Sequence, residues 1–80
     1  MRVYVQIPAL SGKYEFDLSD TVSAGRIIAE MTEIFWRNAS RESDDAKNFM
    51  LLNSSKKTIL NAGLSLEENG VGIGDTLILF

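Results

Sequence analysis

Glu30/Glu33, Asp44-Asp45 and Glu67-Glu68 are the paired carboxylates of this chain, and paired carboxylates are the raw material of general acid–base catalysis. That chemistry needs two groups converging on one pocket, in environments that pull their pKa values apart. All three pairs stand in polar surroundings, so solvated surface charge and helix-terminal charge are the expectation. Gly70-x-Gly72-x-Gly74 has the spacing of a phosphate-binding glycine loop. Such loops run from a strand into a helix, so that amides and helix dipole face the anion together. Here the run leads into a strand-like segment, and tight turning is the simpler role. Lys56-Lys57 offers a small anionic contact, but two lysines in a turn are ordinarily solvated. The chain has no cysteine and no histidine, which removes thiolate chemistry, disulfides, the commonest metal ligand and the commonest general base. No catalytic residue, metal or cofactor is expected.

The apolar residues say more, and the elements that carry them follow from two hydrophobic periods. Val3, Val5 and Ile7 alternate with Tyr4 and Gln6; Pro8 and Gly12 mark a turn; Tyr14, Phe16 and Leu18 alternate with Lys13, Glu15 and Asp17. This predicts an N-terminal hairpin. Ser19-Asp20-Thr21 precedes a helix expected from about Val22, with Thr21 or Ser23 as its N-cap. Ala24, Ile27, Ile28, Met31, Ile34 and Phe35 form one apolar stripe along it, with Arg26, Glu30, Glu33 and Arg37 elsewhere around the cylinder. Gly25 weakens the first turn by about 1 kcal/mol relative to alanine unless it permits a close approach, here expected to be to the sheet. The stretch from Asn38 to Asn48 is polar and of mixed charge and is read as a mobile loop. Phe49-Met50-Leu51-Leu52 and Thr58-Ile59-Leu60 read as two short strands about a turn at Asn53 to Lys57. An irregular connection with one helical turn near Ser65 to Asn69 then leads to a last strand over Leu77-Ile78-Leu79-Phe80.

This order is α+β: a mixed four- to five-stranded sheet with one main helix on one face, its first and last strands paired in parallel at the centre through a long crossover. With Val3, Val5, Ile7, Phe16, Leu18, Met50, Leu52, Leu77 and Leu79 facing the helix, alternation sends Tyr4, Phe49, Leu51, Ile78 and Phe80 to the other face. One helix cannot cover both faces. These five residues are the candidate protein-binding patch, since large exposed apolar patches on monomers usually meet partners. A slip of one residue in the Phe49 to Leu52 strand would exchange its two sets. Trp36, near the helix exit, is a secondary candidate because tryptophan is enriched at interface hot spots, although its spacing also suits a core plug.

Eighty residues make one domain, 1–80, near the lower size for a self-sufficient core. A net charge of −3 with scattered basic residues gives no footprint for nucleic acid. No apolar run is long enough to insert into a membrane, and a cytoplasmic location is the expectation.

The chain resembles the ubiquitin-like β-grasp superfamily. Ser19-Asp20-Thr21-Val22 is similar to the helix entry of ubiquitin. The closing pattern Leu66-x-x-x-Gly70-Val71-x-x-Gly74-Asp75-x-Leu77-x-Leu79 is similar to the YukD family, small bacterial ubiquitin-like proteins linked to type VII secretion and also seen as the N-terminal domain of a membrane component of those systems. The resemblance spans essentially the whole chain; the polar Asn38 to Asn48 loop departs from ubiquitin. It implies a non-enzymatic adaptor whose open sheet face, like the hydrophobic surface through which ubiquitin is recognised, docks a secretion-system component or a second copy of the chain. The alternatives are a modifier or sulfur carrier, which needs a terminal Gly-Gly where this sequence reads Ile78-Leu79-Phe80, and a structural domain of a longer membrane component.

Overall fold

A computed structural model describes residues 1–36 and 49–80. Strand β1 (Arg2–Ile7) buries Val3, Val5 and Ile7 and exposes the residues between them. A single 3₁₀ turn over Pro8–Leu10, closed by Ser11 in the left-handed region, leads into β2 (Gly12–Asp17). Helix α1 (Ala24–Trp36) begins two residues later than expected. Its N-cap is Ser23, whose hydroxyl accepts the amide of Arg26, one of the donors that a first helical turn leaves unpaired. The next amides go outside the helix: Ala24 donates to the Leu64 carbonyl and Gly25 to that of Ala62. A Cβ on Gly25 would meet the Ala62 carbonyl oxygen at 3.1 Å, so this glycine permits a close approach to the Asn61–Leu64 segment and not to the sheet.

Strands β3 (Leu51–Asn53), β4 (Thr58–Ile59) and β5 (Thr76–Leu79) complete a five-stranded sheet in the order β2-β1-β5-β3-β4. The β1–β5 pair is parallel and central, and the β1–β2, β5–β3 and β3–β4 neighbours are antiparallel. This is the expected arrangement. One core lies between sheet and helix, with Val3, Val5, Ile7, Leu51, Leu77 and Leu79 below and Ala24, Ile27, Ile28 and Met31 above; Leu60, Leu66 and Val71 seal one end.

Two residues of the helix stripe differ from expectation, Ile34 and Thr32, whereas Phe35 packs on the sheet as expected. Ile34 is 60% exposed, and Phe35 turns back onto β2, edge-on to Phe16 and 5.1 Å from the Tyr14 ring. Thr32 is buried in its place along the Ile28 row, its hydroxyl satisfied by the Ala29 carbonyl. The expected helical turn at Ser65 to Asn69 is present. Ser65 and Glu68 cap one another, side chain to backbone amide in each direction, and the Val71 amide returns to the Leu66 carbonyl around Gly70, which has φ +76°. Leu66 and Val71, the two ends of that closing motif, are both buried. The Asn69 amide group donates to the carbonyls of Asn61, Leu64 and Ser65, which gives the irregular connection a fixed shape.

Candidate interaction face and its polar buttress

The face of the sheet turned away from α1 carries no covering element among the described residues. Register decides its composition. Leu51 pairs with Leu79 and Asn53 with Leu77, both inward-facing partners, whereas Leu52 pairs with Ile78 on one side and Ile59 on the other. Strand β3 therefore presents the opposite set from the one expected. Leu51 is 1% exposed and belongs to the core, and Phe49, two residues earlier on the same side, packs partly buried against it. Met50 and Leu52, expected inside, face outward. The cause is period two: a slip of one residue flips every side chain of a strand. Four consecutive apolar residues gave no alternation from which to fix the phase.

Tyr4, Ile78 and Phe80 stand where alternation put them. With the correction, the open face holds a row across four strands, Gln6–Ile78–Leu52–Ile59, flanked by Tyr4 on one side and by Met50 and Phe80 on the other. Ile59 is 60% exposed and Met50 and Phe80 are each 45% exposed. Toward β2 the face becomes polar: Lys13 lies over the Tyr4 ring at 5.4 Å, and Arg2 approaches Glu15 at 3.6 Å. An apolar centre with a charged margin is the anatomy of a protein-docking surface. Trp36 closes α1, and its side chain lies outside the described residues, as do Asp44-Asp45 and the whole Asn38 to Asn48 stretch expected as a loop.

Beside this face sits a polar cluster that sequence reasoning missed. Asn53 is fully buried at the end of β3. Its amide donates to Asp75 Oδ2 at 3.0 Å, and its oxygen accepts the Lys56 amide at 3.2 Å. Asp75 Oδ2 also accepts the Gly72 amide at 2.8 Å and lies 3.4 Å from Lys56 Nζ, which donates in turn to the Gly70 carbonyl. The Gly72 amide and the Asn53 amide, in that order, hold the Asp75 carboxyl below its usual range against a smaller opposing effect of burial, with Lys56 adding to the lowering. The glycine run thus already holds an anion, the chain's own Asp75. Lys56, expected to be solvated, is its counter-ion, whereas Lys57 is exposed at φ 58° in the β3–β4 turn. An asparagine directly before Ser-Ser-Lys-Lys was the available signal, but it reads equally as a turn residue.

Two further acids of the described residues stand apart from this cluster. Glu68 is engaged in its cap and Glu30 lies on the exposed side of α1. A concavity of about 460 Å³ between α1 and the end of β2 has a floor that includes Phe16, Ile27 and Met31 and a margin that includes Asp17, Arg26 and Glu30. No cluster of metal-ligating side chains occurs among the described residues, and no described helix is long and apolar enough to cross a membrane.

A central parallel strand pair, one helix across one face and short flanking hairpins define an α+β, ubiquitin-like β-grasp fold. Among solved structures the chain is similar to the N-terminal ubiquitin-like domain of the 4931431F19Rik protein, with a TM-score of 0.75 at 21% identity over all of this chain and 72% of that one. It is also similar to ATBAG1, solved in complex with HSP70, with a TM-score of 0.70 at 15% identity; there the chain spans only 39% of the neighbour's length. No protein-family model matches the sequence, and no curated protein matches it.

Proposed function

We propose that this domain is a non-enzymatic, ubiquitin-like adaptor that docks another protein through the open sheet face and that, as its resemblance to the YukD family implies, it serves type VII secretion in a bacterial cytoplasm. The observation that carries the docking reading is the Ile78–Leu52–Ile59 row, which no described helix covers while Tyr4, Met50 and Phe80 extend it. Full burial of one such side chain is worth about 1.5–3 kcal/mol, so two or three central contacts sustain a micromolar complex after the costs of association. A structural neighbour solved with a protein bound supports the general reading. The Asp75–Asn53–Lys56 cluster would fix the β3–β4 turn and the start of β5, and so set the spacing of the row.

The test is capture from the host's lysate with wild type and with Leu52→Glu/Ile78→Glu as parallel baits, identified by mass spectrometry. Retention of secretion-system components by wild type alone supports both parts of the reading. Equal retention by both baits removes the open face as the site, and retention of unrelated proteins by wild type alone keeps the face but sinks the secretion role.

A further inference from the structure

Among the described residues the sheet has one long free edge, and its chemistry is self-complementary. The Tyr4 amide donates to Asp75 and the Gly74 amide to Arg2, so the even-numbered residues of β1 direct their backbone groups toward β5. The odd-numbered ones face β2, as the bond from the Leu18 amide to the Met1 carbonyl shows. Tyr14 and Phe16, paired with Val5 and Val3, are therefore joined to β1. By alternation Lys13, Glu15 and Asp17 direct theirs outward, where no described residue takes them. An unpaired edge of this length is a template for another strand.

We propose that the occupant of this edge is the β2 strand of a second copy of the chain, paired antiparallel about a twofold axis through Tyr14. In that register Lys13 of each copy stands opposite Glu15 of the other, so both cross-strand pairs on the open-face side have opposite sign. Sliding two residues one way brings Lys13 opposite its own counterpart; sliding the other way brings Glu15 opposite its own while setting Lys13 opposite Asp17, and cross-strand like charges are destabilising. Charges commonly blunt an edge; here the register about Tyr14 is the one in which no like charges stand opposite each other, and each of its neighbours carries one like-charge pair on the axis. On the helix side Tyr14, 38% exposed and packed at a tilt against Phe16 and Phe35, meets its counterpart on the axis and joins the two aromatic clusters. The two sheets become continuous, and the two open faces lie on the same side of one larger sheet. The contact is small, so the dimer is weak, with a dissociation constant on the order of 100 µM. This inference uses a different surface from the proposed docking row and stands or falls apart from it.

Sedimentation equilibrium over a concentration series tests it, with far-UV circular dichroism as the folding check. Lys13→Glu and Glu15→Lys each create two like-charge pairs in this register, and each is expected to weaken self-association by about tenfold or more. Mixed in equal amounts, the two variants place Glu opposite Lys throughout, and association is expected to return to the wild-type level. Wild type that stays monomeric to about 1 mM overturns the proposal. So does a mixture no heavier than its separate components, and so do dilution-dependent amide shifts confined to Leu52 and Ile78 instead of Lys13 to Phe16.

Discussion

Leu52 stands directly opposite Ile78 across β3 and β5 on the open face, while its chain neighbour Leu51 stands opposite Leu79 beneath the helix. Adjacent leucines thus have opposite fates. Leu51→Ala is expected to cost about 3 kcal/mol, because it opens a cavity in a closed core, and Leu52→Ala less than about 1 kcal/mol. Urea denaturation of the two variants measures this, and comparable losses would contradict the assigned register.

Asp75 makes stability depend on pH in one direction. Its folded pKa is lowered from 3.8, so its contribution is fully present above that value and is lost as pH falls through the lower folded value. Asp75→Asn is expected to lose about 1–2 kcal/mol near neutral pH, where the charged acceptor serves Gly72, Asn53 and Lys56. The gap from wild type should narrow between neutral pH and a pH below 3.8, as the native carboxyl begins to take up its proton. Urea midpoints at the two pH values decide the matter; a constant gap would show that shape and not charge is what the cluster requires.

The three glycines before β5 should respond differently to one added methyl group. Gly70 and Gly74 hold φ +76° and +85°, and alanine there is expected to cost about 1–2 kcal/mol. Gly72 lies outside the left-handed region and a Cβ on it would make only ordinary contacts at 3.8 Å, so Gly72→Ala should stay within about 0.5 kcal/mol of wild type. Thermal or chemical unfolding of the three variants separates a loop built on backbone conformation from one built on the mere absence of side chains.

Gly25→Ala sets helix propensity against space. Alanine gains about 1 kcal/mol of propensity. The added carbon, however, meets the Ala62 carbonyl at 3.1 Å, and that carbonyl is held by the Gly25 amide itself at 2.9 Å. A backbone acceptor has little freedom to retreat, so net destabilisation of about 1 kcal/mol is expected, and changing Ala62 to glycine as well should relieve only the part that comes from its Cβ, 3.3 Å away. A more stable Gly25→Ala variant would mean that the segment yields.

The fold was legible because period-two and period-3.6 patterns were clean in the first hairpin and the helix, and because Gly70, Gly74 and Asp75 mark the turn into the last strand. The open face was legible in β1 and β5, where alternation fixes Tyr4 and Ile78. It was not legible in β3: Phe49-Met50-Leu51-Leu52 has no polar residue to set its phase, and the register comes from pairing with β5, a long-range contact. Asn53 and Lys56 were missed for a related reason. Their roles depend on Asp75, some twenty residues on, and residue type alone reads both as turn residues. Ile34 left the stripe because three- and four-residue spacing admits it on either flank, and only the packing of Phe35 on Tyr14 and Phe16 chooses.

Strands β1 and β5 are neighbours at the middle of the sheet although they are the first and last elements of the chain described. A growing polypeptide therefore offers its hairpin and helix a missing centre until the residues through Leu79 have left the ribosome. Throughout that interval the inner edge of β1 and the underside of α1 stay open to whatever binds nascent chains. The sheet of this domain then closes only once its last strand has emerged, however early the hairpin and helix were made.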